Sequence, residues 1–168
     1  VIQIRLHTAA DAAQLVPLFR CFFALHRQLL GNPQPLGDAE AAETAEKPLN
    51  QPASWTVVAE DDESGEILGF ARWEEREGAF FGRELFVRPE HRKRGIGTRL
   101  WQEVERRVVE AGGDALFVSI VPHNKDVLTV AQRCGYDTLN TVELRKELLG
   151  ERPRRGQLKM LGLEWKTL

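Results

Sequence analysis

Glu84-Leu85-Phe86-Val87-Arg88-Pro89-Glu90-His91-Arg92-Lys93-Arg94-Gly95-Ile96-Gly97-Thr98 reads as a strand that runs through a basic, glycine-containing turn into a helix. Pro89 has no N–H to give to a ladder of hydrogen bonds, so the strand must release the chain there. A helix starting near Gly97 carries Leu100, Trp101, Val104 and Val108 on one face until Gly112-Gly113. The first amides of such a helix have no partner within it, and the aligned peptide dipoles place roughly half a positive charge at that end. The segment therefore makes an anion site, and Gly95 and Gly97 let the main chain come close to the anion.

Two rival glycine motifs do not fit. A dinucleotide fingerprint needs a third glycine where Leu100 stands, and a P-loop needs a lysine and a hydroxyl after its last glycine. A bare R-x-x-G-x-G string would be only a softened turn with a solvated basic face, so its surroundings must decide.

Upstream, Ile2, Ile4 and Leu6 alternate with Gln3 and Arg5, the period of a half-buried strand, and Thr8 with Asp11 forms a helix-opening cap. Apolar residues from Leu15 to Leu30 recur at helical spacing until Gly31-Asn32-Pro33, and His26 beside that stripe reads as packing. Asp38 to Lys47 is alanine- and glutamate-rich and predicts a more exposed helix that Pro48 ends. Trp55 to Ala59 and Ile67 to Ala71 predict a hairpin across Asp61-Asp62-Glu63-Ser64-Gly65, and Phe80 to Val87 a further strand.

Downstream, Ala115 to Val121 predicts a nearly continuous apolar strand of the kind buried on both faces, and Asp126 to Arg133 a short helix stopped by Gly135. Strand, helix, strand, helix in succession implies parallel pairing here. Asp137 to Arg145 and Gln157 to Thr167 are expected as an antiparallel pair closing the sheet, with a helix over Glu143 to Leu149 as the alternative.

The 168 residues suit one globular domain, and 23 basic against 25 acidic residues leave a formal charge of -2. That balance does not favour nucleic-acid binding, and the basic loop Arg152-Pro153-Arg154-Arg155 matches no nucleic-acid motif. Cys21, Cys134 and the four scattered histidines lack metal-site or redox spacing, so no metal and a reduced, cytoplasmic setting are expected. Charges interrupt every apolar stretch and the start lacks the pattern of a targeting leader, which predicts a soluble protein with no membrane span.

Taken together, strand Leu85-Phe86-Val87, then Arg88-Pro89-Glu90-His91-Arg92, then R-x-x-G-x-G on a helix, then strand, Asn124, helix and Gly135-Tyr136 resemble the GNAT superfamily of N-acetyltransferases. The resemblance covers the element order of essentially the whole chain. It implies an α/β fold of mixed α+β type: a central, mostly antiparallel twisted sheet with one parallel, splayed strand pair, flanked by about four helices, as one domain over residues 1–168. It also implies transfer of an acetyl group from acetyl-CoA to a primary amine by direct attack in a ternary complex. Arg92, Lys93, Arg94, Gly95, Ile96, Gly97 and Thr98 would wrap the cofactor pyrophosphate; Leu85, Phe86 and Val87 would pair their main chain with the pantetheine arm; Asn124 would also touch the cofactor.

The proton chemistry is less conventional. The family's tyrosine acid falls where this chain has Ala131; Ser119, His123 or solvent are the alternatives for that role, while Tyr136 reads more as packing than as catalysis. Glu84 is the candidate base, and a backbone amide near Phe86 the candidate oxyanion donor. Ala131 keeps open a second class of function, a catalytically idle acyl-CoA-binding module acting through a partner. The acceptor amine is not legible, and edge strands with the Trp165 end could support a homodimer.

Overall fold

The computed structural model describes residues 1–32, 43, 46–146, 148 and 156–167. It divides into two compact units, Val1–Phe23 with Leu36–Ser119, and Ala24–Pro35 with Ile120–Leu168.

The first unit is built on a five-stranded sheet in the order β1-β2-β3-β4-β5. β1 (Ile2–Leu6), β2 (Ser54–Asp61), β3 (Ile67–Arg76) and β4 (Ala79–Val87) are successively antiparallel, whereas β5 (Leu116–Val118) is parallel to β4. The expected hairpin is therefore present, and its second strand runs five residues beyond Ala71. Two helices, α1 (Ala12–Leu29) and α2 (Ile96–Glu110), supply apolar stripes to opposite faces of the sheet. Leu15, Leu18 and Phe19 of α1 pack with Val58, Ile67, Phe70 and Phe86, and the Phe19 and Phe70 rings lie 4.1 Å apart. Ile96, Leu100, Val104 and Val108 of α2 pack with Val57, Ala59, Leu68, Ala71, Trp73 and Phe80. Alternate residues of β3 serve each core, so the strand is buried from Ile67 to Glu74.

The cap read from Thr8 and Asp11 is present: the Thr8 N–H donates to Asp11 Oδ2 at 2.6 Å, and Arg5 donates to both Asp11 oxygens at 2.7 and 2.8 Å. The Arg5 guanidinium, with help from Thr8, holds the Asp11 carboxyl down from 3.8 to about 2. Because the folded-state value lies below the unfolded one, this contribution is complete above pH about 4 and disappears as the pH falls through about 2. Asp11→Asn is expected to lower stability by about 1 kcal/mol at neutral pH. Denaturant melts of the two proteins should converge near pH 2; a gap that persists there would assign the loss to packing instead.

Three expectations need correction. The apolar run Ala115 to Val121 yields only Leu116–Val118 as strand, half-buried, because among the described residues β5 has a strand neighbour on one side alone. Asp137 to Arg145 has no regular secondary structure; the antiparallel pair lies wholly within the last segment, as β6 (Gly156–Met160) and β7 (Leu163–Thr167). Leu161 and Gly162, both at positive φ, make the turn between them, within the segment expected to be one continuous strand. Finally, Pro48 does not end a helix: residues 46–50 are helical, with Pro48 buried and Leu49 packed beside the Phe70 core. That burial outweighs the missing N–H. The rest of the expected 38–47 helix, apart from residue 43, and the Arg152 to Arg155 loop lie outside the described residues.

In the second unit, α3 (Lys125–Arg133) follows Asn124, and Gly135 beyond it has φ 88°, as the expected stop requires. Among the described residues no helix is long and apolar enough to cross a membrane, and no group of three or more histidine, cysteine, aspartate or glutamate side chains could hold a metal ion.

Candidate functional site

The site begins at an irregularity. Trp73 pairs with Gly82 but Arg72 with Glu84, so Arg83 is an extra residue on β4, a β-bulge. A bulge bends its strand and sharpens the local twist. β5 accordingly keeps company with β4 only along Phe80, Phe81 and Gly82, and past that point β4 has no strand on its outer side among the described residues.

The Arg88 N–H donates to Leu68 O at 2.9 Å, which fixes the alternation of the ladder. Main-chain groups of Phe86 face β3, and those of Leu85 and Val87 face the open edge. Any outward main-chain donor near Phe86 therefore belongs to one of its neighbours, Leu85 or Val87. Val87 O is already occupied, accepting from Arg92 Nε at 2.9 Å while the Arg92 guanidinium lies 5.6 Å from the Phe86 ring centre.

After a turn at Pro89–His91 the chain reaches α2 through two left-handed residues, Lys93 at φ 60° and Gly95 at φ 77°. A left-handed lysine costs about 1–2 kcal/mol, so the turn is held by what surrounds it. Ile96, almost wholly buried, anchors the helix start. The first intrahelical bond is Arg99 N–H to Gly95 O at 3.1 Å, and the amides of Gly95 through Thr98 have no backbone acceptor among the described residues. Arg92, Lys93 and Arg94 are exposed around them, Arg94 donating to His91 Nδ1 at 2.9 Å.

A Cβ built on Gly97 would lie 3.8 Å from Val87 Cγ2 and 4.0 Å from Leu85 Cδ2, which is ordinary contact. Packing within the protein does not demand glycine there, and its absent side chain leaves the helix start open to close approach. Open amides, a glycine the fold can spare, local cations and an unpaired strand edge together fit an extended ligand with a phosphate group and an amide-bearing arm.

Glu84 faces the α1 side and is not a solvated edge residue. It is 9% exposed, beside Arg72 and Glu74 at 4% each. Arg72 holds both its oxygens, Nε to Oε2 and Nη2 to Oε1, the latter at 3.0 Å. Arg72 Nη1 also donates to Ser54 Oγ at 2.8 Å and Gln51 Oε1 at 3.3 Å, and Gln51 Nε2 donates to Glu74 Oε2 at 2.9 Å. Sequence reading missed Arg72 and Glu74, although both share the period-two face of Phe70, where a charge implies a buried partner.

Glu84, Leu85–Val87 and Arg92–Thr98 thus stand together in the first unit. Ser119 is exposed just past β5. His123 and Asn124 belong to the second unit. There His123 Nε2 lies 2.8 Å from Thr167 Oγ1, and Asn124 caps α3, accepting from the Val127 N–H at 3.4 Å. Ala131 is buried.

A sequence profile of the acetyltransferase (GNAT) family matches residues 17–136. Among solved structures, the aminoglycoside N-acetyltransferase AAC(6')-Iy bound to a bisubstrate analogue, CoA-S-monomethyl-acetylneamine, is 22% identical with a TM-score of 0.65, over 88% of this chain and 98% of that one. A ribosomal-protein-alanine N-acetyltransferase from Brucella melitensis biovar Abortus 2308 is 17% identical with a TM-score of 0.67, over 88% and 100%. A probable acetyltransferase is 18% identical with a TM-score of 0.70, over 89% and 99%.

Proposed function

Because the chain belongs to the acetyltransferase (GNAT) family, we propose that it moves an acetyl group from acetyl-CoA to a primary amine by direct attack, with residues 1–168 acting as one catalytic domain. The observation that carries this reading is the juxtaposition of open helix amides at Gly95 to Thr98 with the β4 edge, where the main chain of Leu85 and the Val87 N–H have no strand partner among the described residues. The helix start would hold the pyrophosphate, and the strand edge the pantetheine. The resemblance implies that Asn124, whose oxygen caps α3, would also contact the cofactor.

In the reaction the amine nitrogen bonds to the acetyl carbonyl carbon, the carbon–sulfur bond breaks, and CoA leaves as thiolate. An amine of pKa about 10.4 costs about 4–5 kcal/mol to deprotonate at pH 7, whereas a thiolate of pKa about 8.5 takes up a proton downhill at that pH. A base is worth more than an acid, which makes the tyrosine-to-Ala131 exchange tolerable. Glu84 serves on the amine side, attracting the ammonium and taking its proton, with Arg72 fixing its direction. The outward amide beside Phe86 faces the developing oxyanion. Ser119, His123 or solvent would return a proton to sulfur.

Acetyl-CoA at about a hundredfold over its dissociation constant should stabilise the protein by about 2.7 kcal/mol. In a thermal melt that is a rise of several degrees, with a smaller rise for adenosine diphosphate. No shift with saturating acetyl-CoA would remove the proposal's support. A shift without release of thiol in the presence of amines would favour an acyl-CoA-binding module.

A further inference from the structure

The bulge at Arg83 does more than open the strand edge. In a bulge of this kind the two residues opposite one partner point to the same side, so Arg83 joins Glu84 on the α1 face. Arg76, from the end of β3, reaches the same place: the Nε atoms of Arg76 and Arg83 both lie 3.6 Å from Glu74 Oε1. The other Glu74 oxygen accepts from Gln51 and lies 3.6 Å from Arg72 Nη1. Arg72 is engaged with Glu84 and Ser54.

Three guanidinium groups thus share two carboxylates, and the surplus positive charge sits at the rim, where the Arg76 and Arg83 side chains are 62% and 42% exposed. At 3.6 Å these contacts are too long for hydrogen bonds. Glu74 therefore gathers the two guanidinium groups electrostatically without consuming their N–H donors. The Arg76 guanidinium also lies 4.7 Å from the Phe81 ring centre, and Phe81 packs on Phe117 at 5.5 Å, which steadies it.

We propose that Arg76 and Arg83 bind a carboxylate carried by the acceptor, so that the acceptor class is small amines bearing a carboxylate, of the amino-acid type. The inference rests on the acetyltransferase reading and on Glu84 as the amine-side group. Ammonium and carboxylate a few bonds apart match the neighbouring, oppositely charged Glu84 and Arg83. Planar guanidinium groups suit a carboxylate in particular. A polycationic acceptor would meet like charge at the rim. The carboxylate takes no part in the bond changes: Glu84 takes the ammonium proton, the nitrogen–carbon bond forms, the carbon–sulfur bond breaks, and the second nitrogen proton passes through solvent to the departing thiolate.

The test is thiol release from acetyl-CoA with L-amino acids, the matching amino acid amides, and spermidine. The free acids should exceed their amides in kcat/KM by about tenfold or more, the scale of one charge-assisted pair. Arg83→Gln and Arg76→Gln should each bring that ratio towards one through the KM of the free acid, with the acetyl-CoA dissociation constant unchanged. Equal use of acid and amide, or a preference for spermidine, overturns the inference and leaves the transferase reading intact. Thiol release with none of them would instead count against the transferase reading. Calorimetric titration of the amino acids then still decides the anion site: binding lost in Arg83→Gln supports it, and no binding to either protein sinks it.

Discussion

Gly97→Ala is expected to fold as well as the wild type and to bind acetyl-CoA at least about tenfold more weakly, a loss of 1.4 kcal/mol or more. The two halves of this expectation have separate causes. The new methyl group would meet Val87 and Leu85 at ordinary contact distance, and alanine favours a helix over glycine by up to about 1 kcal/mol. The melting temperature without ligand should therefore hold or rise. A phosphate against the amides of Gly95 to Thr98 would meet that same methyl group, which adds bulk where the ligand must come closest. Gly95 offers a less selective test, because at φ 77° a side chain strains the folded chain itself. Calorimetric titration of acetyl-CoA into Gly97→Ala reads the effect directly. Unchanged affinity would place the ligand away from the helix start.

Removing the guanidinium at Arg72 should be the most costly single change to stability. Arg72→Met leaves Glu84 and Glu74 buried without their shared cation, and breaking a buried pair from one side typically costs about 3–5 kcal/mol. Glu84→Gln is the complementary change, since it keeps the shape and one acceptor oxygen while removing the charge. It should lower amine turnover by about a hundredfold, the scale of general base catalysis, with the acetyl-CoA dissociation constant intact. Chemical denaturation measures the first effect, and kcat with a saturating amine at neutral pH the second. If Glu84→Gln turns over like the wild type, Glu84 is a structural anion and the base lies elsewhere.

Much of this protein was legible before folding. Leu100, Trp101, Val104 and Val108 announced the helix that covers one sheet face, and Pro89 marked where β4 lets the chain go. Gly95 marked the left-handed entry to the helix, because that backbone conformation is a property of the residue type. These signals are local, carried by residues a few positions apart.

The partners of Glu84 were not legible. Arg72 lies 12 positions away and meets it only because β3 and β4 pair in one register, and Arg83 joins them only because that register slips by a residue. Likewise the run Ala115 to Val121 was apolar enough for a buried strand, yet it pairs over three residues because β4 turns away from it. The sequence by itself determined the order of the elements from β1 to the short helix after Asn124 and the glycine-marked start of α2. Tertiary structure alone decided which charges neutralise one another, how far β5 extends and which strand edge stays open, because these depend on register and twist between segments distant in the chain.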